Sequence, residues 1–145
     1  MSTTALDCFF YGTLMDVAVL SAVIGRPADR LCRERAFVDG YRRVRRLGAT
    51  YPILIPMPGA RVDGILASGL RPADTTRLCV FEGDDYDLVE IPVRASARGP
   101  RRAMAFLARP DVPASSEEWT IADWRRRHRK AYLLRLRNGL DRVPF

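Results

Sequence analysis

The sequence predicts one mixed α+β domain, in which helices flank a small β-barrel or curved sheet and a long helix closes the chain. Three observations lead to this fold class. Short apolar or alternating segments recur between turn residues, which is typical of the strands of a curved sheet. Three segments without helix breakers lie between or after them, and each ends at a glycine, as helices often do. The length of 145 residues suits one domain with a sizeable core.

The first predicted elements are a strand and a helix. Residues 7–11 form a short run, rich in aromatic side chains, that ends at Gly12, and this predicts a buried strand followed by a sharp turn. Residues 15–24 contain no helix breaker and end at Gly25, which predicts a short helix with a glycine stop.

Residues 33–46 predict a long strand with an irregularity in its middle. The Asp39–Gly40 pair fits either a tight hairpin turn or a bulge within one bent strand. We favour the bulge because polar residues crowd both sides of the pair. The expected inward positions are Ala36, Val38 and Tyr41.

The middle of the chain predicts a hairpin and a second helix. Residues 51–56 and 61–67 read as strands, and Pro58–Gly59 between them is a turn dipeptide, so we expect a β-hairpin here. Pro72 then opens a helix that runs to about Phe81, with Gly83 as its stop.

The last third predicts two strands and a long helix. The strands are residues 86–95 and 102–108, and residues 110–113 form a loop. Ser115–Glu118 matches a capping box, so a helix should start there and stop at Asn138–Gly139. Its expected inward residues are Ile121, Trp124, His128 and Ala131. We expect Trp119 and Trp124 to anchor this helix to the barrel or to a second subunit. Residues 1–145 then form one domain, with a core of about 7–108 and a helical extension of about 115–139.

The net charge of +7 raises the question of nucleic-acid binding. Of the 24 basic residues, only Lys130 is lysine, which indicates a general bias towards arginine rather than a dedicated phosphate-binding surface. An arginine-rich last helix, extended by Arg42, Arg43, Arg45 and Arg46, stays open as a less favoured nucleic-acid surface. A basic rim could instead attract acidic small molecules.

Cysteine usage and hydropathy favour a cytoplasmic protein. Cys8, Cys32 and Cys79 are far apart and odd in number, which is typical of reduced thiols in an intracellular protein. The first basic residue is Arg26, so the start of the sequence lacks the charged region of a secretory signal. The longest uncharged stretch, residues 47–60, is interrupted by prolines and is too short to span a membrane.

Two segments could carry chemistry. Phe10–Leu14 takes a strand into a helix through a glycine, and backbone N–H groups at such a junction can bind a carboxylate or an oxyanion. In Phe81–Tyr86, the carboxyl group of Glu82 lies at a helix end between apolar neighbours, which should raise its pKa and suit it to proton transfer. From the residues alone, a plain tight turn and an exposed glutamate at a helix end remain open for these two segments.

Together, these segments resemble the γ-glutamylcyclotransferase-like family, in its small AIG2-like branch. The markers are Tyr11-Gly12-Thr13-Leu14 after the first strand and Phe81-Glu82-Gly83 followed by Tyr86. Weaker markers are Tyr51-Pro52 and Val62-Asp63-Gly64. The resemblance covers about residues 7–108, and its specificity lies in the order and spacing of the markers. It implies a small mixed barrel with a cavity at the Tyr-Gly-Thr-Leu loop.

The resemblance also implies an activity, in which the α-amine of a γ-glutamyl compound attacks its own γ-carbonyl to give 5-oxoproline and a free amine. Glu82 would transfer protons, and the N–H groups of Gly12, Thr13 and Leu14 would hold the oxyanion and the substrate carboxylate. Tyr11, Tyr51 and Tyr86 would line the cavity. We expect no metal, no organic cofactor and no membrane contact, and a homodimer is compatible with the sequence.

The sequence departs from the family pattern at Leu88, where many relatives carry an arginine. The departure leaves a second hypothesis open, a non-catalytic domain that keeps the fold and binds a small molecule.

Overall fold

The structure is a computed structural model and describes residues 6–138. Its strands are β1 (Leu6–Phe10), β2 (Cys32–Arg46), β3 (Pro52–Leu70), β4 (Tyr86–Ala95), β5 (Gly99–Ala108) and β6 (Ala114–Glu118). Its helices are α1 (Val17–Ile24), α2 (Pro72–Glu82), α3 (Ile121–Arg127) and α4 (Arg129–Arg137). The strands form one sheet in the order β3-β1-β5-β4-β2-β6. Because β2 also pairs with β3, the sheet curves back on itself, which confirms the predicted α+β fold class.

The longest pairing is the antiparallel hairpin of β2 and β3, and it corrects the expected hairpin at Pro58–Gly59. The register passes from the pair Asp39–Arg61 directly to the pair Tyr41–Pro56, so residues 57–60 bulge out opposite a single residue, Gly40. Strand β2 therefore continues through Asp39–Gly40 with an irregularity at Gly40 and does not turn there, as predicted, while the extra residues belong to β3. The proline and glycine lie in this bulge of β3, and the strand continues because both of its halves pair with β2.

Gly64 has a packing role where β3 crosses β1. A Cβ atom at this position would lie 2.3 Å from the carbonyl oxygen of Phe10 and 2.7 Å from the ring of Phe9. Only glycine allows the two strands to approach this closely.

Helix α1 begins two residues later than predicted, at Val17, because Thr13–Met15 form a 3-10 turn. The Asp16 side chain caps α1 by accepting hydrogen bonds from the backbone N–H groups of Ala18 and Val19. Gly25, with φ of 74°, ends the helix as predicted.

Helix α2 and strand β4 agree with the sequence. Pro72 lies in the first turn of α2, and Gly83 ends the helix with φ of 81°. Strand β4 spans the predicted residues 86–95, and its partner β5 starts three residues earlier than expected. The helix therefore delivers Glu82 to the edge of the barrel, directly before the turn into β4.

The capping-box prediction at Ser115–Glu118 is wrong, because this segment is strand β6. Its Ser115 hydroxyl donates to the carbonyl of Arg45, and residues of β6 pair with the end of β2. The tertiary pairing outweighs the local signal. Thr120 caps α3 instead, by accepting a hydrogen bond from the N–H of Asp123.

The predicted long helix is broken at His128 into α3 and α4. The backbone of His128 has φ of −128°, which is outside the helical range, and the break turns the buried face of α4. Tyr132 and Leu133 are therefore buried, whereas the expected inward residue Ala131 is exposed. Asn138 ends α4, and the predicted stop at Gly139 falls outside the described residues.

The core has two parts, one on each side of β1. Phe9 and Tyr11 point into the barrel, whereas Phe10 points towards the helices. Trp119 and Trp124 are buried on the helix side, as expected for residues that anchor the C-terminal segment to the barrel. Within residues 6–138, no helix is both long and apolar enough to cross a membrane.

Candidate active site

A cavity of about 290 Å³ opens between the end of β1, the end of α2, the start of β4 and helix α4. All seven residues that the sequence proposed for the site line this cavity, namely Tyr11, Gly12, Thr13, Leu14, Tyr51, Glu82 and Tyr86. The fold therefore brings together segments that lie about seventy residues apart in the chain.

The loop after β1 forms one wall of the cavity. Gly12 leads into the 3-10 turn, whose closing hydrogen bonds run from the N–H of Met15 to Gly12 and from the N–H of Asp16 to Thr13. The first N–H groups of such a turn have no partner within it, so those of Thr13 and Leu14 are available to an anion. Arg43 fixes the start of this loop, because its Nη1 donates to the carbonyl of Tyr11 at 3.0 Å.

Glu82, the last residue of α2, is half-buried on the opposite wall. Burial raises the pKa of its carboxyl group to about 8. Within residues 6–138, this carboxyl group has neither a hydrogen-bond partner nor an ion-pair partner. It is an acid whose proton is exchangeable near neutral pH.

Four phenols surround the carboxyl group of Glu82, and its charge contributes to raising the pKa of each: Tyr11, Tyr51, Tyr86 and Tyr132. Burial is the largest cause in every case. The four hydroxyl groups therefore stay protonated at neutral pH and can serve as hydrogen-bond donors.

The phenols differ in their partners. Tyr11 donates a hydrogen bond to the carbonyl of Phe106 and so ties β1 to β5. Tyr51 accepts a hydrogen bond of 3.3 Å from Nη1 of Arg46. The guanidinium of Arg46 lies near the buried hydroxyl of Tyr86 and acts to lower its pKa, but no hydrogen bond of good geometry reaches this hydroxyl from the described residues, so a ligand in the cavity could provide one.

Two polar residues of the cavity, Arg46 and Tyr132, lie outside the segments that the sequence proposed for the site. Arg46 is the last residue of β2, and Nη2 of its guanidinium lies 2.8 Å from Oδ2 of Asp85. Tyr132 belongs to α4, and its hydroxyl lies 3.4 Å from Oγ1 of Thr13. In the sequence, Arg46 is one of several arginines at the end of the second predicted strand, and nothing local distinguishes it from the others. Its distinguishing feature is that its backbone pairs with Tyr51, a proposed site residue, where β2 turns into β3.

Leu88 is half-buried and packs against the core rather than lining the cavity. The guanidinium at the cavity therefore comes from β2 and not from β4. Other arginines of β2 are also engaged by the protein: Arg43 donates to the carbonyls of Tyr11, Asp63 and Trp119, and Arg45 pairs with Glu117.

The donor atoms of the cavity suit proton transfer and anion binding. Within residues 6–138, no group of three or more His, Cys, Asp or Glu side chains is arranged to hold a metal ion. The three cysteines are free thiols, and Cys8 alone among them is buried.

A family model described as "Gamma-glutamyl cyclotransferase, AIG2-like" matches residues 8–126. Because the match covers most of the chain, the protein belongs to this family. Among curated relatives, protein AIG2 C of Arabidopsis thaliana is 27% identical over 137 residues, which are 93% of this chain and 81% of the relative. AIG2-like protein A of the same plant is 24% identical over 130 residues, 88% of this chain and 76% of the relative.

Solved structures show the same fold. A solution structure of an Arabidopsis thaliana protein superposes with a TM-score of 0.70 at 24% identity, over 97% of this chain and 86% of the other. A structure named "Gamma-glutamyl cyclotransferase" superposes with a TM-score of 0.59 at 13% identity, over 72% of this chain and 67% of the other.

Proposed function

We propose that this protein is a γ-glutamylcyclotransferase that converts a γ-glutamyl amine or γ-glutamyl amino acid into 5-oxoproline and a free amine. The observation that carries the proposal is the position of Glu82. Its unpaired carboxyl group, with a pKa raised to about 8, faces the same cavity as the N–H groups of the loop after β1.

In the first step, the substrate binds in a folded conformation. Its carboxylate and γ-carbonyl oxygen accept hydrogen bonds from the N–H groups of Gly12, Thr13 and Leu14. The attacking amine is part of the same molecule, so a well-oriented conformer removes about 7–11 kcal/mol of the barrier that separate reactants would face. Tyr11, Tyr51 and Tyr86 confine the substrate.

In the second step, Glu82 takes a proton from the α-ammonium group, and the amine nitrogen attacks the γ-carbonyl carbon. The new C–N bond closes a five-membered ring, and the developing oxyanion is held by the N–H groups of the loop. Glu82 then returns its proton to the leaving nitrogen as the original C–N bond breaks. The second proton of the ring nitrogen follows through Glu82 to the released amine, which leaves as an ammonium ion. The products are 5-oxoproline and the amine, with no net change in protons or electrons and no water consumed.

A carboxyl group with a pKa near the working pH can act as base and then as acid without large cost. An ordinary surface glutamate would be a much weaker base. The chain supplies every proton carrier and donor that this reaction needs, which supports a cofactor-independent enzyme. The free thiols Cys8, Cys32 and Cys79 support the further proposal of a cytoplasmic location.

The experiment is an assay of 5-oxoproline release from a panel of γ-glutamyl amines and γ-glutamyl amino acids. Glu82→Gln should reduce the turnover number by a factor on the order of 10²–10⁴. Its far-ultraviolet circular dichroism spectrum should stay that of the unmodified protein, which shows that the fold is intact. Glu90→Gln is the matched control, because Glu90 lies on β4 in an exposed ion pair with Arg102, outside the cavity. Near-normal turnover by Glu82→Gln would remove Glu82 from its role.

The second candidate is a non-catalytic domain that binds a γ-glutamyl compound. The observation that favours it is Leu88, which packs in the core where the family pattern has an arginine. Saturable binding without 5-oxoproline release, by the unmodified protein, would support this candidate. A homodimer stays a prediction that light scattering would test.

A further inference from the structure

Arg46 links two segments of the cavity wall. Its Nη2 donates to Oδ2 of Asp85 at 2.8 Å, and its Nη1 donates to the hydroxyl of Tyr51 at 3.3 Å. The centre of its guanidinium also lies 5.9 Å from the centre of the Tyr51 ring. One side chain therefore joins the β2–β3 turn to the loop between α2 and β4.

The backbone of Arg46 is fixed at the turn. Its N–H donates to the carbonyl of Tyr51, and its carbonyl accepts from the N–H of Ala49. Its side chain is only 20% exposed. An arginine held in this way can present two N–H groups in a defined direction, which a flexible surface arginine does not do.

The partner of Arg46 belongs to the segment that carries the acid. Asp85 lies in the Gly83–Asp85 loop, with Glu82 directly before the loop and Tyr86 directly after it. Asp85 is 57% exposed, so the ion pair contributes little to global stability. The ion pair instead fixes the direction in which the Gly83–Asp85 loop leaves helix α2.

We propose that Arg46 is a positioning residue for Glu82: by holding Asp85, it fixes the loop after α2 and so keeps the carboxyl group of Glu82 turned into the cavity. The proposal rests on the proposed function and adds to it a residue through which the acid–base group is oriented.

The contacts of Arg46 favour positioning over direct binding of substrate. Two of its N–H groups are already engaged, by Asp85 and by Tyr51. Burial raises the pKa of Glu82, and the charge of Arg46 does not contribute to this shift. The titratable groups that face Glu82 are the phenols Tyr11, Tyr51, Tyr86 and Tyr132. The other charged side chains that line the cavity are Arg46, Asp84 and Asp85.

The experiment is a double-mutant cycle on 5-oxoproline release with Arg46→Met, Asp85→Asn and the two together. Each single change should reduce kcat on the order of 10²-fold with less than about a threefold change in KM, because a displaced acid slows the chemistry rather than binding. The double variant should be no slower than the slower single variant, because both remove the same contact. Arg46→Lys should keep part of the activity.

The matched control is Arg109→Met. Arg109 pairs with Asp87 through an exposed contact of 3.3 Å outside the cavity, and its backbone bond to the Asp85 carbonyl does not depend on the side chain. Its kcat should stay within about twofold of that of the unmodified protein.

A second readout separates this proposal from the proposed function. The carboxyl carbon of Glu82, assigned with Glu82→Gln, is titrated by carbon-13 NMR. In Arg46→Met and Asp85→Asn, the pKa should fall from about 8 towards the ordinary value of 4.5, since a loosened loop lets water reach the group. A purely electrostatic role for Arg46 would instead raise the pKa when the cation is removed.

The outcomes divide cleanly. The proposal is overturned if Asp85→Asn keeps full kcat while Arg46→Met raises KM for substrates with an acidic leaving group, since Arg46 then binds substrate directly. An unchanged pKa of Glu82 in both variants also overturns it. If the unmodified protein releases no 5-oxoproline, the proposed function fails, and the NMR titration still decides whether Arg46 positions Glu82.

Discussion

The hydroxyl of Tyr132 lies 3.4 Å from Oγ1 of Thr13, although the two residues are 119 positions apart in the chain. This contact brings α4 to the loop that follows β1. The match to the family ends at residue 126, so this wall of the cavity comes from the part of the chain beyond the matched segment. The C-terminal helix therefore contributes to the site rather than only covering the barrel.

We predict that Tyr132→Phe lowers the free energy of unfolding by about 1 kcal/mol, because it removes the hydroxyl and keeps the ring. Tyr132→Ala should lower the free energy of unfolding by about 3–5 kcal/mol, because the ring is buried and packs edge-on against Trp124, with 5.2 Å between the ring centres. Urea denaturation measures both values.

The control for the hydroxyl is Tyr41→Phe. Tyr41 is half-buried, and its hydroxyl makes no hydrogen bond within residues 6–138. Its removal should change the free energy of unfolding by less than about 0.5 kcal/mol. Equal losses at the two positions would show that the Thr13 contact contributes nothing.

Asp16 gives a prediction about the attachment of the last two helices. Its buried carboxyl group accepts from Nε of Arg125 at 3.1 Å and from Nε of Arg129 at 2.8 Å. Asp16→Asn keeps a side chain that can cap α1 but loses both ion pairs. We expect this substitution to lower the free energy of unfolding by about 2 kcal/mol at pH 7. The expected effect is small for a buried carboxylate because both arginines are partly exposed to solvent.

The pH dependence of this effect has a defined sign. Burial acts to raise the pKa of Asp16, but hydrogen bonds from Arg129 and Arg125 outweigh it and hold the pKa below its ordinary value of 3.8. The stabilisation is therefore present above pH 3.8 and is lost as the pH falls through the lowered pKa of the folded protein. Urea denaturation should show a smaller difference in the free energy of unfolding between the unmodified protein and Asp16→Asn below pH 3 than at pH 7. Asp123→Asn, which removes only exposed pairs, is the control.

Glu82 predicts the opposite pH dependence. Its pKa is raised from 4.5 to about 8, so folding favours the protonated form. The unmodified protein should lose stability relative to Glu82→Gln as the pH rises from 4.5 to about 8, with a constant difference above that. Urea midpoints at pH 4, 6 and 9 test this order. A difference that does not vary with pH would mean that the carboxyl group is solvated in the folded protein.

The sequence predicted the fold class and the residues around the cavity better than it predicted the long-range pairings. Helix α2 and its glycine stop follow from local signals, and so does the irregularity of β2 at Asp39–Gly40. The turn expected at Pro58–Gly59 is a bulge instead, because the pairing with β2 extends on both sides of it. A turn dipeptide does not show whether the strands on either side of it pair with each other or with a strand elsewhere in the chain.

The same limit explains the other differences. Ser115–Glu118 has a helix-start pattern, but its place beside the end of β2 makes it a strand. Arg46 and Tyr132 gain their roles only from their neighbours in space, Asp85 and Thr13. Local chemistry singled out Glu82 as a candidate, and the residue lines the cavity, whereas the groups that surround it depend on the closure of the barrel and on the break at His128.

The order of the cavity walls along the chain has a consequence for biosynthesis. The loop after β1, Glu82 and the start of β4 leave the ribosome before α4, which completes the enclosure of the cavity. A nascent chain halted before α4 holds Glu82 but leaves the cavity open on the side that Tyr132 lines. Binding of a small molecule in the cavity should therefore begin only after α4 docks, so the site matures after the segments that hold Glu82 and the loop after β1 have been made.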